Sequence, residues 1–248
     1  MKKQILLSVL IACAIMFVNV SHAQLKKVAI ISVYGDKNLS DDPMNTLIYE
    51  KILKDSSYNI TRIINDFDKV LREKFVQKFP FEVMAKEDVI TTDGYKEIAD
   101  LTRFKSGNYY VVPGEGYVSI AAWGAIAQDD EAIKKAFEIL PDDVDGVIIA
   151  YLNFNMYQSG GIGPLSRQKV YAVVNMKIFN RDVKRLFKLR EKETSDTGIM
   201  AVGGIVTQPK EVMPLIDNAS ENLFVAMDKK LDKSLGKMIK KMQKEAGN

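Results

Sequence analysis

An α/β fold, with a mixed sheet, flanking helices, a C-terminal β-hairpin and a long C-terminal amphipathic helix, is predicted by three features of the sequence. Residues 28–34 (Val-Ala-Ile-Ile-Ser-Val-Tyr) form a nearly unbroken apolar run ended by Gly35 and Asp36, as in a strand buried on both faces. Between residues 60 and 79, apolar side chains recur at Ile63, Ile64, Phe67, Val70, Leu71, Phe75 and Phe79. Spacings of three and four put them on one helical face. Two β-rich runs, 169–179 and 185–193, are joined by Asn180-Arg181-Asp182-Val183-Lys184, a polar link that marks a hairpin.

The remaining elements follow in chain order. Residues 38–45 are polar and contain Pro43, which reads as a loop. The helix over 60–79 sets Arg62, Asp66, Lys69, Arg72, Glu73 and Lys74 largely opposite its apolar stripe, and Pro80 stops it. Phe81-Glu82-Val83-Met84 predicts a short strand, residues 93–103 a short helix, and residues 109–112 another strand. A helix over 130–140 precedes a strand over 147–152. The last helix spans about 220–244, with Leu223, Met227, Leu231, Leu235, Met238 and Met242 as its stripe. Strands alternating with helices give an α/β sheet, to which the hairpin adds an antiparallel part. No repeat or low-complexity linker interrupts residues 24–248, so one domain is expected there.

The first 23 residues read as a secretory signal peptide. Lys2 and Lys3 are followed by a 16-residue apolar run, 5–20, and Ser21-His22-Ala23 supplies small residues at −3 and −1 before Gln24. Leu10-Ile11-Ala12-Cys13 offers a competing lipoprotein box, in which Cys13 would carry a lipid. Either reading places the chain outside the inner membrane, in the periplasm or at the outer membrane of a bacterium. Removing Lys2 and Lys3 lowers the net charge from +3 to +1, so no global field favours nucleic acid.

Cleavage after Ala23 also removes Cys13 and His22, the only cysteine and histidine. That excludes Ser-His-Asp and Cys-His catalysis and any thiolate or imidazole metal site. Paired carboxylates remain a route to glycoside hydrolysis, giving an alternative reading as a hydrolase of envelope glycans. No catalytic, cofactor-binding or metal-ligating residue is assigned, and no cofactor is expected.

The first strand (Lys27-Val28-Ala29-Ile30-Ile31), the amphipathic helix, and the segment from Phe81 through Met84-Ala85-Lys86 to Val89 together resemble a group of bacterial envelope α/β domains. These are the curli secretion channel domain, the N-terminal domain of the Tol-system translocation protein, and the lipoprotein activators of penicillin-binding proteins. Asp143-Val144-Asp145-Gly146 looks like their turn into a central strand, and residues 169–193 are similar to their hairpin. The resemblance implies an exported, non-enzymatic domain that binds other proteins or assembles. It assigns no residue a role.

Gly160-Gly161-Ile162-Gly163-Pro164 follows a strand but lacks a succeeding helix and a Lys-Ser/Thr pair, so an inter-strand loop is expected rather than a phosphate cradle. Asp142, Asp143 and Asp145 read as an acidic turn instead of a calcium loop. Asp129, Asp130 and Glu131 supply negative charge to a helix N-terminus. Two uncharged segments, 117–127 and 198–206, are either buried under the sheet or form a partner surface built on Tyr117, Ile120, Trp123, Ile199, Met200 and Val202. Membrane-crossing strands of an oligomeric secretion pore are a third reading of the same segments. Lys233, Lys237, Lys240, Lys241 and Lys244 form a basic face for an acidic partner or peripheral contact with an envelope membrane. A protein partner or self-association is therefore expected.

Overall fold

The computed structural model describes residues 25–40, 43–105, 110–122, 128–162, 165–202, 206 and 208–246. The predicted leader, Cys13 and Trp123 lie outside the described residues. The predicted class is the observed one, a mixed sheet sandwiched between helices. β1 (Lys27–Asp36) pairs in parallel with β2 (Glu82–Val83) and β4 (Gly146–Ile162), while β3 (Val111–Pro113) runs antiparallel to its far end. β4, β5 (Leu165–Asn180) and β6 (Arg185–Thr194) form an antiparallel meander, and β7 (Ile199–Val202) pairs with the start of β5. The strand order is β2-β1-β4-β5-β6.

Alternation along the strands divides the core in two. Val28, Ile30 and Val33 of β1 join Ile148, Ala150, Leu152, Phe154 and Met156 of β4 and the even-numbered residues 170–178 of β5 on one face. That face is covered by α1 (Pro43–Lys54), α2 (Thr61–Val70) and α6 (Pro209–Ala246). Ala29, Ile31 and Tyr34 meet Val147, Ile149 and Phe179 on the other face. The helices there are α3 (Lys86–Ile90), α4 (Ile98–Leu101) and α5 (Asp130–Ile139). The ladder to β4 slips by one residue between Ile30 and Ser32. This bulge moves odd-numbered Val33 onto the face of Val28 and Ile30. Ser32 then uses its hydroxyl to donate to the Val118 carbonyl (2.7 Å) and accept the Ile120 N–H (3.1 Å).

The acidic turn anchors the two central strands. Asp145 Oδ2 accepts the backbone N–H groups of Lys26 (2.9 Å) and Lys27 (3.2 Å), and Asp143 pairs with the Lys27 ammonium at 2.9 Å. On the first face, α2 and α6 lie side by side. Phe67 stacks on Phe224 with centroids 5.8 Å apart, Arg62 pairs with Asp217, and Lys78 with Asp228 at 2.9 Å.

Several boundaries differ from the expectation, each for a physical reason. Pro43 starts α1 rather than sitting mid-loop, because the first helical turn needs no N–H from it. The 60–79 stripe is helical, but after Val70 it widens into a π-turn (Leu71–Phe75) and tightens into a 3₁₀ turn (Val76–Lys78). The predicted 93–103 helix is split into a 3₁₀ turn (Tyr95–Glu97) and α4. β3 begins at Val111, two residues beyond the predicted start. β4 runs ten residues past Leu152, since Phe154 and Met156 keep the core face apolar while Asn153, Asn155 and Tyr157 alternate to the other. Its last residues, Gly160–Ile162, were expected in a loop but are laddered to Leu165–Arg167. α6 begins eleven residues before Ser220, and Val212, Leu215, Ile216 and Ala219 extend its buried stripe despite Pro214.

At Gly35 the sheet and α2 approach so closely that a Cβ would lie 2.2 Å from Ile64 Cδ1. Gly35→Ala is expected to lower unfolding free energy by about 1–3 kcal/mol in urea titration, and adding Ile64→Val should recover part of that loss.

Candidate functional site

The two predicted interaction segments have opposite fates. Tyr117 and Ile120 are buried, so neither contributes to a surface. Ile120 packs beneath α5 with Ile133 and Phe137. Tyr117 enters a polar network: its hydroxyl donates to Asp68 Oδ1 (3.1 Å) and also meets the Arg72 guanidinium. Asp68 is closed further by Arg72 Nε at 3.1 Å and Lys86 Nζ at 2.9 Å, and the Lys86 ammonium sits 4.8 Å from the Tyr117 ring centre. Burial raises the Tyr117 phenol far above its usual range, so it acts as a permanent donor. A carboxylate held by two cations and a phenol is a structural tie between α2, α3 and residue 117.

The second segment forms β7, at the far end of the long β4–β5 hairpin. Its register sets Met200 opposite Arg167, while Ile162 of β4 faces Leu165. Ile162 is 90%, Met200 62% and Leu165 48% exposed. All three belong to the side of the sheet opposite Ala201 and Ile199, which face the α6 side of the core. Met200 therefore stays in the predicted surface, Ile199 is partly buried, and the side chain of Val202 lies outside the described residues. Periodicity does not single out Ile162 and Leu165, because the glycines around them read as loop. Gly161 lies at φ +133°, where a Cβ would stand 2.2 Å from the Leu165 carbonyl oxygen, so only glycine lets the two strands close here.

Along the same side of the sheet, nearer its base, lies Lys177 of β5. It is 1% exposed, and among the described residues its ammonium has no hydrogen-bond partner. It faces Ile149 across β4 and Lys188 across β6. Burial, with repulsion from Arg185 and Lys188, lowers its pKa to about 8.

On α6, Lys233, Lys237 and Lys240 are exposed, whereas the side chains of Lys241 and Lys244 lie outside the described residues. Lys230 is committed to Glu191 at 2.6 Å. The stripe residues Leu223, Met227, Leu231 and Leu235 are buried against the sheet. No described helix is long and apolar enough to cross a membrane, and no group of metal-ligating side chains occurs among the described residues.

No protein-family model matches the sequence, and no curated protein matches it. Among solved structures, a hypothetical protein from Chlamydia trachomatis is 9% identical with a TM-score of 0.40, covering 86% of this chain and 98% of that one. A neuraminyllactose-binding hemagglutinin homolog from Helicobacter pylori is 12% identical with a TM-score of 0.36, covering 91% of each.

Two outcomes are expected from this geometry. Lys177→Met should raise stability at pH 7, by roughly 3 kcal/mol if the whole shift is relieved. The folded pKa lies below the ordinary 10.5, so the penalty is complete below about pH 8 and vanishes above pH 10.5. Wild-type stability, followed by thermal melts, should thus climb through that window relative to the variant. Tyr117→Phe should cost about 1–2 kcal/mol by leaving Asp68 short of a donor.

Proposed function

We propose that this chain is an exported bacterial envelope protein that works by non-enzymatic binding, contacting a protein partner through the apolar end of its β4–β5–β7 hairpin. The observation that carries this reading is the exposure of Ile162, Leu165 and Met200 together on one side of a laddered projection. Apolar side chains left this exposed contribute little to the core, and a cluster of this kind marks an interaction surface. The hairpin supplies a rigid base: β5 is paired along its length by β4, and over its first four residues also by β7.

The leader-like first 23 residues support export, and the resemblance to envelope domains supports binding or assembly as the activity. In this reading the exposed lysines of α6 are a solvated face, with cations favoured toward the helix C-terminus.

Fractionation of the native protein with intact-mass and solution-size measurement tests the proposal. A soluble envelope species beginning at Gln24, associated with itself or a partner, is expected. Substituting Ile162, Leu165 and Met200 together by serine should abolish that association while changing the melting temperature little. Retained association in the triple variant would overturn the tip as the contact surface, and a species beginning at a lipidated Cys13 would replace the soluble form with an anchored one.

A further inference from the structure

The side of the sheet that bears the apolar tip also carries, between that tip and α5, a lane of polar side chains that the hairpin contact does not use. Cross-strand register aligns it in four rows. Lys177 stands between Ile149 and Lys188, Asn175 between Tyr151 and Arg190, Val173 between Asn153 and Lys192, and Tyr171 between Asn155 and Thr194. From Lys177 to Tyr171 the lane is about 20 Å long at the usual rise of a strand.

Its floor is built in a way the fold alone does not require. Asn155, Asn175 and Lys177 are 3%, 5% and 1% exposed. Among the described residues, Asn153 Oδ1, Asn155 Nδ2 and Lys177 Nζ lack hydrogen-bond partners. Buried polar atoms without partners cost stability, and such a group calls for an explanation beyond packing. Its rim on β6 is cationic, with Lys188, Arg190 and Lys192 exposed two residues apart. The charges acting on Lys177 are Arg185 and Lys188, both of its own sign.

We propose that this lane is a binding site for a linear acidic saccharide. The Lys177 ammonium, with the β6 cations, takes the carboxylate or sulfate groups, and the amides of Asn153, Asn155 and Asn175 take ring hydroxyls. An asparagine amide offers a donor and an acceptor side by side, which matches a hydroxyl that must do both. A buried ammonium facing an anion makes a short, charge-assisted bond in a low-dielectric site.

Two other polyanions fit less well. A peptide strand would add to a sheet edge through main-chain bonds, whereas this lane lies on a sheet face, where the backbone is already spent in the ladders with β4 and β6. A nucleic acid strand would stack bases on open aromatic faces. Here the Tyr171 ring is capped by Lys192 Nζ at 3.4 Å, and Tyr151 is stacked on Tyr34 at 5.3 Å.

Calorimetry of the exported protein with tetragalacturonate, a heparin-derived tetrasaccharide, maltotetraose and tetraglutamate tests the site. Binding of at least one acidic saccharide is expected, at least about tenfold tighter than either maltotetraose or tetraglutamate. Lys177→Met, Asn175→Leu and the rim variant Lys188→Gln should each weaken it, the first two by about tenfold or more. The Lys177→Met protein remains folded by the stability argument above, and Lys188→Gln alters only an exposed side chain. Absence of binding to both acidic saccharides, equal binding of maltotetraose or tetraglutamate, or unchanged affinity in the variants would overturn the proposal. The triple tip variant should keep saccharide affinity, which separates this site from the hairpin contact.

Discussion

The junction of β1 with β4 is the constraint on which the remainder of the structure depends. Two parallel strands have no short turn to set their register. Asp145 supplies it instead, by collecting the N–H groups of Lys26 and Lys27 at the point where both strands begin. From that starting row the apolar side chains of each strand fall on the correct faces, and both helical layers find a surface. A slip of one residue would turn every side chain over. The slip within the β1–β4 ladder, at the bulge before Ser32, is matched by hydroxyl bonds to residues 118 and 120.

Much of this was legible in the sequence. β1, the amphipathic stretch after Ile60, α5, the β5–β6 hairpin and the stripe of α6 follow from hydrophobic periodicity, which packing reinforces. Glycine and proline read as loop residues where the fold places them inside elements. Pro43 opens a helix whose first turn needs no N–H from it, and Gly160 and Gly161 lie within a strand that glycine alone lets close on its partner. The outer half of β4 was missed for a different reason: a strand apolar on one side and amide-bearing on the other looks neither like a buried strand nor like a solvent-facing one.

The candidate sites divide along the same line. Apolar composition found Met200 but could not separate it from buried Tyr117 and Ile120, since periodicity says which residues share a face and not whether that face is covered. Lys177 was read only as part of a β run. Its significance depends on cross-strand neighbours on β4 and β6, which pairing alone brings together.

The placement of α6 has a consequence for how the chain is made. This helix covers one face of β5 and β6, sheltering Phe187 and Leu189, yet it follows both strands in the chain. Until its stripe is made, Phe187 and Leu189 lack the cover that α6 gives them. A chain interrupted before Pro209 would expose Phe187 and Leu189 on an uncovered apolar sheet face, a surface that invites association.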